Sequence, residues 1–269
     1  MAARAGFPMY DLPMLAEVTA AWWAGLAAAL GAEGIAEVPA RLDRETPAPA
    51  LWLAPDLLLA QTCGYPLTHA LRGRVSYVAT PCYAAEGCSG SAYRSRLLVR
   101  RDEPAGSLAD LAGRRVACNV FDSHSGMNVL RRMVAPLARE GRFFAEVAEV
   151  GSHRAAMRAV AEGAADLCAV DCVTHALLAR YAPADVAPLR VLDESPAAPG
   201  LPYITRRDAS PDLLARLRAG LASAFADPGL AEVRAALLLS GLELCPPGDY
   251  EVIAEMAREA AALGYPDLC

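Results

Sequence analysis

Residues 119–132 read NVFDSHSGMNVLRR and set Ser123, His124, Ser125 and Gly126 between a short apolar run, RRVACN (114–119), and a helical pattern at 125–139. Two hydroxyls, an imidazole and a glycine at a helix opening are the donor set of an oxyanion site that needs no cationic side chain. The first turn of a helix carries N–H groups without intrahelical acceptors and a partial positive charge. Serine hydroxyls add donors, and glycine permits close approach of the backbone. Charge-assisted hydrogen bonds contribute about 1.5–3 kcal/mol each. Four or five of them exceed the roughly 8 kcal/mol of micromolar binding, even after ordering costs. Plain capping explains any one such motif, because Ser and Asp are ordinary N-caps. The same holds for Ser152 ahead of HRAAMRAVAEG and for Asp171.

Recurrence at strand ends favours binding over capping. In open α/β sheets, ligands collect beyond the carboxyl ends of strands. Tyr10 and then Asp11 follow a first short strand at 5–10. Gln61, Thr62, Cys63, Gly64 and Tyr65 follow DLLLAQT (56–62), and Tyr83 closes VSYVATPCY (75–83). Ser152 and His153 follow FFAEVAEV (143–150), and Asp171 and Thr174 follow ADLCAV. A His124–Ser125 nucleophile pair is not expected, since neighbours at a helix start project in different directions and no G-x-S-x-G elbow is present.

The elements that must position these residues alternate between strand and helix, which predicts βαβ units and parallel sheets. A long helix at 13–32 opens with proline and ends with glycine, with Trp22 and Trp23 read as packing residues. Residues 40–55 read as irregular. Helices are expected at 152–162 and 172–181, strands at 187–195 and 203–208, and three helical stretches near 210–226, 228–240 and 248–263. Two extended segments, 93–102 and about 195–206, bracket an α/β block. This predicts two lobes, one of 1–100 plus 204–269 and one of 101–203, with a cleft between them, a preferred kind of ligand site.

Composition limits the chemistry. The chain has 269 residues, 55% hydrophobic and 21% charged, ample for a packed core. A net charge of −6 argues against nucleic acid or an acidic membrane as partner. All 25 basic residues are arginine, which excludes Schiff-base, pyridoxal, Walker and serine–lysine chemistry. A GC-rich genome accounts for the missing lysine. By composition no stretch reaches the roughly 20 apolar residues of a membrane span. The first residues, MAARAGFPMYDLPML, show no h-region or cleavage site. A cytoplasmic location is therefore expected, or a periplasmic one where a leader has been removed. Of the eight cysteines, Cys82 and Cys88 in CYAAEGC are placed to close a small loop in an oxidising compartment. Cys118, Cys168 and Cys172 read as small buried hydrophobes, and no spacing predicts a metal site.

Three blocks together resemble a known family. SLADLAGRRVACNVFDSHSGMNVLR (107–131), GSHRAAMRAVAEGAADLCAVD (151–171) and SPAAPGLPYITR (195–206) are similar in pattern and spacing to the phosphate/phosphonate/phosphite-type substrate-binding proteins of ABC importers. The resemblance covers most of 55–240, and FPMYD resembles the first-strand motif. It implies a type II periplasmic-binding-protein fold of class α/β: two lobes, two mixed sheets with flanking helices, and a two-strand hinge closing on ligand. By that resemblance Ser123, His124, Ser125, Gly126, His153 and Tyr10 hold an anionic head group, with Gln61, Thr62, Tyr65, Tyr83 and Asp171 nearby. His124 departs from the usual threonine or serine. Val173 and Leu201 stand where binders of aminophosphonates place acids, so a cationic ligand tail is not expected. The implied function is capture of a small oxyanion by a monomer that uses no cofactor or metal and serves an ABC permease or a sensor protein. An enzyme or a ligand sensor on the same scaffold is the alternative.

Overall fold

The computed structural model describes residues 3–246 and 248–269. Among them two five-stranded sheets are built from β1 (Arg4–Gly6), β2 (Leu57–Gln61), β3 (Val75–Tyr83), β4 (Ser95–Arg100), β5 (Arg115–Cys118), β6 (Glu146–Glu149), β7 (Leu167–Asp171), β8 (Leu189–Glu194), β9 (Tyr203–Arg206) and β10 (Leu239–Glu243). The chain divides into two compact units. The first comprises Met1–Ala84, Ser89–Ser91 and Pro199–Pro247; the second comprises Ala85–Cys88, Ala92–Ala198 and Gly248–Cys269.

The first unit is built on a mixed sheet of order β1-β2-β9-β3-β10. β1 and β2 are parallel, whereas β9 runs antiparallel to both β2 and β3. All five residues of β2, LLLAQ, are buried, as expected of an apolar run covered on both faces. Leu51, Trp52, Leu57, Ala60, Leu71 and Ile204 form one of its core clusters. The helix Ala16–Ala32 buries Thr19, Trp22, Trp23, Leu26 and Leu30. It packs on Pro211–Ala226, where a Cβ on Gly220 would come within 3.1 Å of Leu30 Cα. Counted from Pro13, this segment is 20 residues long and apolar enough by length and composition to cross a membrane, which corrects the compositional expectation. Its buried face is packed within the first unit.

The second unit holds a mixed sheet of order β6-β5-β7-β4-β8. β5 is parallel to β6 and β7, and β4 lies antiparallel between β7 and β8. The helices His153–Ala161 and Cys172–Tyr181 follow β6 and β7, giving the expected βα succession.

Several expectations need correction. Residues 92–100 and 248–269 belong to the second unit, not to the first lobe. The reason for the former is β4, whose ladders are both in that sheet. The helix Glu251–Ala262 is tied there by hydrogen bonds: Asn128 Nδ2 donates to Ile253 O at 3.0 Å, and the Phe143 and Phe144 amides both donate to Cys269 O at 3.0 Å. The chain therefore changes unit at 84–92, at 198–199 and a third time at 247–248, where two passages were expected. The stretch read as a helix at 228–240 is a short helix, Ala231–Ala236, followed by β10. Leu238 adopts φ 59°, which stops the helix and turns the chain into a strand antiparallel to β3. Residues 40–55, read as irregular, include a short helix, Ala48–Trp52.

Candidate functional site

Where β5 ends, Asn119 and a short loop lead into a widened first turn at His124–Asn128, which continues as an α-helix over Val129–Val134. The Ser123 hydroxyl caps it by accepting the Gly126 N–H at 3.0 Å. The Asn128 amide donates to Ser123 O at 3.0 Å, an i to i+5 bond. This spacing leaves the amides ahead of Asn128 outside the intrahelical ladder. Ser123, Ser125 and Gly126 are all buried. The close approach that Gly126 permits is that of Asn119: a Cβ here would sit 1.9 Å from Asn119 Oδ1 and 3.2 Å from His153 Cε1.

His153 opens the helix His153–Ala161 behind its cap Ser152, whose hydroxyl accepts from Ala155 N. Its Nε2 lies 2.9 Å from Ser125 Oγ, 3.4 Å from Asp171 Oδ2 and 3.5 Å from Asn119 Nδ2. Burial lowers its pKa, against the opposing effects of the Asp171 charge and the Ala169 backbone, so the ring is predominantly neutral at pH 7. Asp171 ends β7 and caps the next helix, accepting the Thr174 N–H at 2.8 Å. A helix start and an imidazole thus neighbour its carboxylate. Ser, His and Asp meet here, but not as a hydrolytic relay. Ser125 and Asp171 crowd the same ring nitrogen, Nε2. A relay needs the acid on the nitrogen opposite the nucleophile.

His124 is held from within the turn. It is 2% exposed, its Nδ1 lies 3.2 Å from Asn128 Nδ2, and its ring leans on Tyr93. Asn128 Nδ2 also donates to Ile253 O, while Asn128 Oδ1 accepts from Arg131 at 2.8 Å, which fixes the amide orientation. His124 Nδ1 is therefore the acceptor, and the proton of the neutral ring sits on Nε2. Burial pushes its pKa down to about 3.

In the first unit, Tyr10 meets Tyr83 edge to face, with ring centroids 5.1 Å apart. Gln61 Nε2 donates to the Tyr83 hydroxyl at 3.0 Å and to Leu201 O at 3.1 Å. Tyr10, Gln61 and Tyr83, with Phe7, Thr19 and Trp22, line a cavity of about 30 Å³, room for a water or two rather than a phosphonate. Asp11 is held by Arg44. Thr62 is fully buried, its amide donating to Pro202 O. The Tyr65 ring stacks on His69, with centroids 3.9 Å apart. The structure therefore gathers Ser123, Ser125, Gly126, His153 and Asp171 in the second unit, and Tyr10, Gln61 and Tyr83 in the first. Within these units Thr62 and Tyr65 have other partners. Asn119 and Asn128 escaped the sequence reading; the strand-end rule that selected Ser123 also reaches Asn119, one residue beyond β5. Val173 and Leu201 are buried apolar residues. Among the described residues no group of three or more His, Cys, Asp or Glu side chains is placed to hold a metal ion.

Residues 56–250 match a family described as "ABC transporter, phosphonate, periplasmic substrate-binding protein". No curated relative is similar enough in sequence to match. Solved structures share the fold. A binding-protein component of an ABC phosphonate transporter from Pseudomonas aeruginosa superposes with a TM-score of 0.75 at 19% identity, over 97% of this chain and 87% of its own. A Prochlorococcus marinus protein in complex with methylphosphonate gives 0.76 at 14% identity, over 96% and 98%. A Xanthomonas citri protein bound to ATP gives 0.72 at 17% identity, over 97% of each chain. These likenesses carry the fold class expected from the sequence: α/β, with mixed sheets and flanking helices, as in periplasmic binding proteins.

Proposed function

Because this chain belongs to the phosphonate family of periplasmic substrate-binding proteins of ABC transporters, we propose that its solute is a small oxyanion, a phosphonate, phosphate or phosphite, held by the turn at Ser123–Gly126 together with His153. The observation that carries this reading is the 2.9 Å contact between Ser125 Oγ and His153 Nε2 at a buried helix opening. A neutral His153 protonated on Nε2 donates to Ser125. The serine hydroxyl hydrogen is then directed to another acceptor, and an anionic oxygen suits it. The amides of the first turn add donors, and the helix dipole supplies a positive potential without an arginine. Asp171 serves as cap and ring partner, not as a ligand for a cation. His124 acts from beneath, fixing the turn through Asn128. Tyr10, Gln61 and Tyr83 form a second polar group, in the first unit.

Binding needs no covalent step, and the placement of Ser125 and Asp171 on one ring nitrogen supports binding over hydrolysis. The protein acts, on this reading, as a monomer in the periplasm and delivers its solute to an ABC permease. Calorimetric titration with methylphosphonate, phosphate, phosphite and ATP tests it. We expect micromolar or tighter binding of at least one of the three small oxyanions. Ser125→Ala should weaken that binding about tenfold or more, the loss of one charge-assisted hydrogen bond, with little change in melting temperature. Silence toward all three from a folded sample refutes the assignment. Binding of ATP alone would move the ligand class to nucleotides. Turnover of simple esters that Ser125→Ala abolishes would favour an enzyme.

A further inference from the structure

The cysteine partnership read from sequence is not the one the fold makes. Cys88 Sγ lies 3.4 Å from Cys172 Sγ, across 84 residues of chain, and both belong to the second unit. We propose that Cys88 and Cys172 are a redox pair that closes to a disulfide in an oxidising compartment, stapling the 85–88 loop to the first residue of the helix that Asp171 caps.

The loop is built to press on Cys172. The Cys88 amide donates to Ala85 O at 3.0 Å, closing a tight turn. The buried guanidinium of Arg96 holds that turn by donating to Glu86 O at 3.3 Å and Glu86 Oε2 at 2.8 Å. Between them Gly87 has φ +99°, and a Cβ on it would lie 3.0 Å from Cys172 Cβ and 3.2 Å from Cys172 Sγ. Only glycine fits that conformation and that gap. On the other side, Cys172 is fixed by its own amide, which donates to Arg94 O at 2.9 Å.

The two thiols are unequal in the way exchange requires. Cys88 is half-buried, and Cys172 is fully buried. The hydrogen bond from Cys172 draws the Cys88 thiol pKa down, with further help from the Ala85 backbone and the Arg96 charge, against the desolvation of burial and the Asp171 charge. The same hydrogen bond and burial raise that of Cys172. Cys88 is thus the entry thiol, attacking as thiolate. With a small external disulfide as oxidant, Cys88 displaces one thiolate and forms a mixed disulfide. Cys172 gives up its proton and attacks Cys88 Sγ, and the second external thiolate leaves. Two protein thiols and one external disulfide become one protein disulfide and two external thiols.

The test is incubation of the native, folded chain with oxidised glutathione. Intact mass should fall by about 2 Da, the two hydrogens lost. Cleavage after Glu86 separates Cys88 from Cys82, and cleavage before Asp171 separates Cys172 from Cys168. The cross-linked peptides should join Cys88 to Cys172. The oxidised chain should melt about 5–10 °C above the reduced one, and Cys88→Ser should abolish both the mass loss and that rise. A lasting glutathione adduct without ring closure, a link through any other cysteine, or no mass change at all overturns the proposal. So does a linked chain that melts no higher than the reduced one. Peptide mapping of the unaltered chain decides the pairing whether or not a Cys172 variant folds.

Discussion

The burial of a neutral His124 has a cost that pH can expose. Its pKa is lowered from 6.5 to about 3 in the fold, so on acidification the unfolded chain takes up a proton that the folded chain refuses. The stability it contributes is complete above pH 6.5 and is lost as pH falls toward 3. Each unit of pH within that window corresponds to about 1.4 kcal/mol, so the step from pH 6.5 to pH 4 removes about 3 kcal/mol. Carboxylates, His153 and His175 change over the same range, so the measurement must be differential. His124→Gln retains an acceptor for Asn128 Nδ2 and does not titrate. Melting temperatures of both proteins between pH 7 and pH 4, followed by circular dichroism, give the comparison. For a chain of this size about 2–4 °C accompanies each kcal/mol. The unaltered protein should therefore lose about 6–12 °C more than the variant across the interval, whatever the variant costs at pH 7. Parallel pH profiles would refute a buried, neutral ring accepting from Asn128.

Gly126→Ala should destabilise the protein by about 1–3 kcal/mol, because its Cβ would overlap Asn119 Oδ1; adding Asn119→Ala should recover most of that loss in chemical denaturation. Ser123→Ala removes the acceptor of the Gly126 amide and should cost about 1 kcal/mol as a lost N-cap, read from the shift in denaturation midpoint. Tyr83→Phe takes one of two acceptors from Gln61 Nε2 and should cost about 0.5–1.5 kcal/mol, with far-UV spectra unchanged.

Much of this architecture was legible because buried parallel strands announce themselves. LLLAQ, RVAC and LCAVD are short buried runs, and the helical turns after the last two open behind the caps Ser123 and Asp171. The strand-end rule consequently found Ser123, Ser125, His153 and Asp171 as a group. It could not say that the Nδ1 of His124, one residue away, meets Asn128. That contact depends on Ile253, 125 residues distant from Asn128, whose carbonyl orients the amide. Nor could periodicity separate strand from helix in the apolar run at 237–243, where the decision rests on one left-handed residue, Leu238. The placement of Glu251–Ala262 was missed for the same reason as the Cys88–Cys172 contact: both are long-range, and local pattern carries no record of them.

The route of the chain has a consequence for its synthesis. The first unit lacks its central strand β9 until residue 206 has been made, and the second lacks Glu251–Ala262 and the Cys269 carbonyl until the segment that provides them has followed. Neither body can fold and be set aside while the other is being translated. The second sheet has its last strand only at Glu194 and the first only at Glu243, so long stretches emerge with unpaired strand edges and open apolar faces, a regime in which nascent chains aggregate and depend on chaperones.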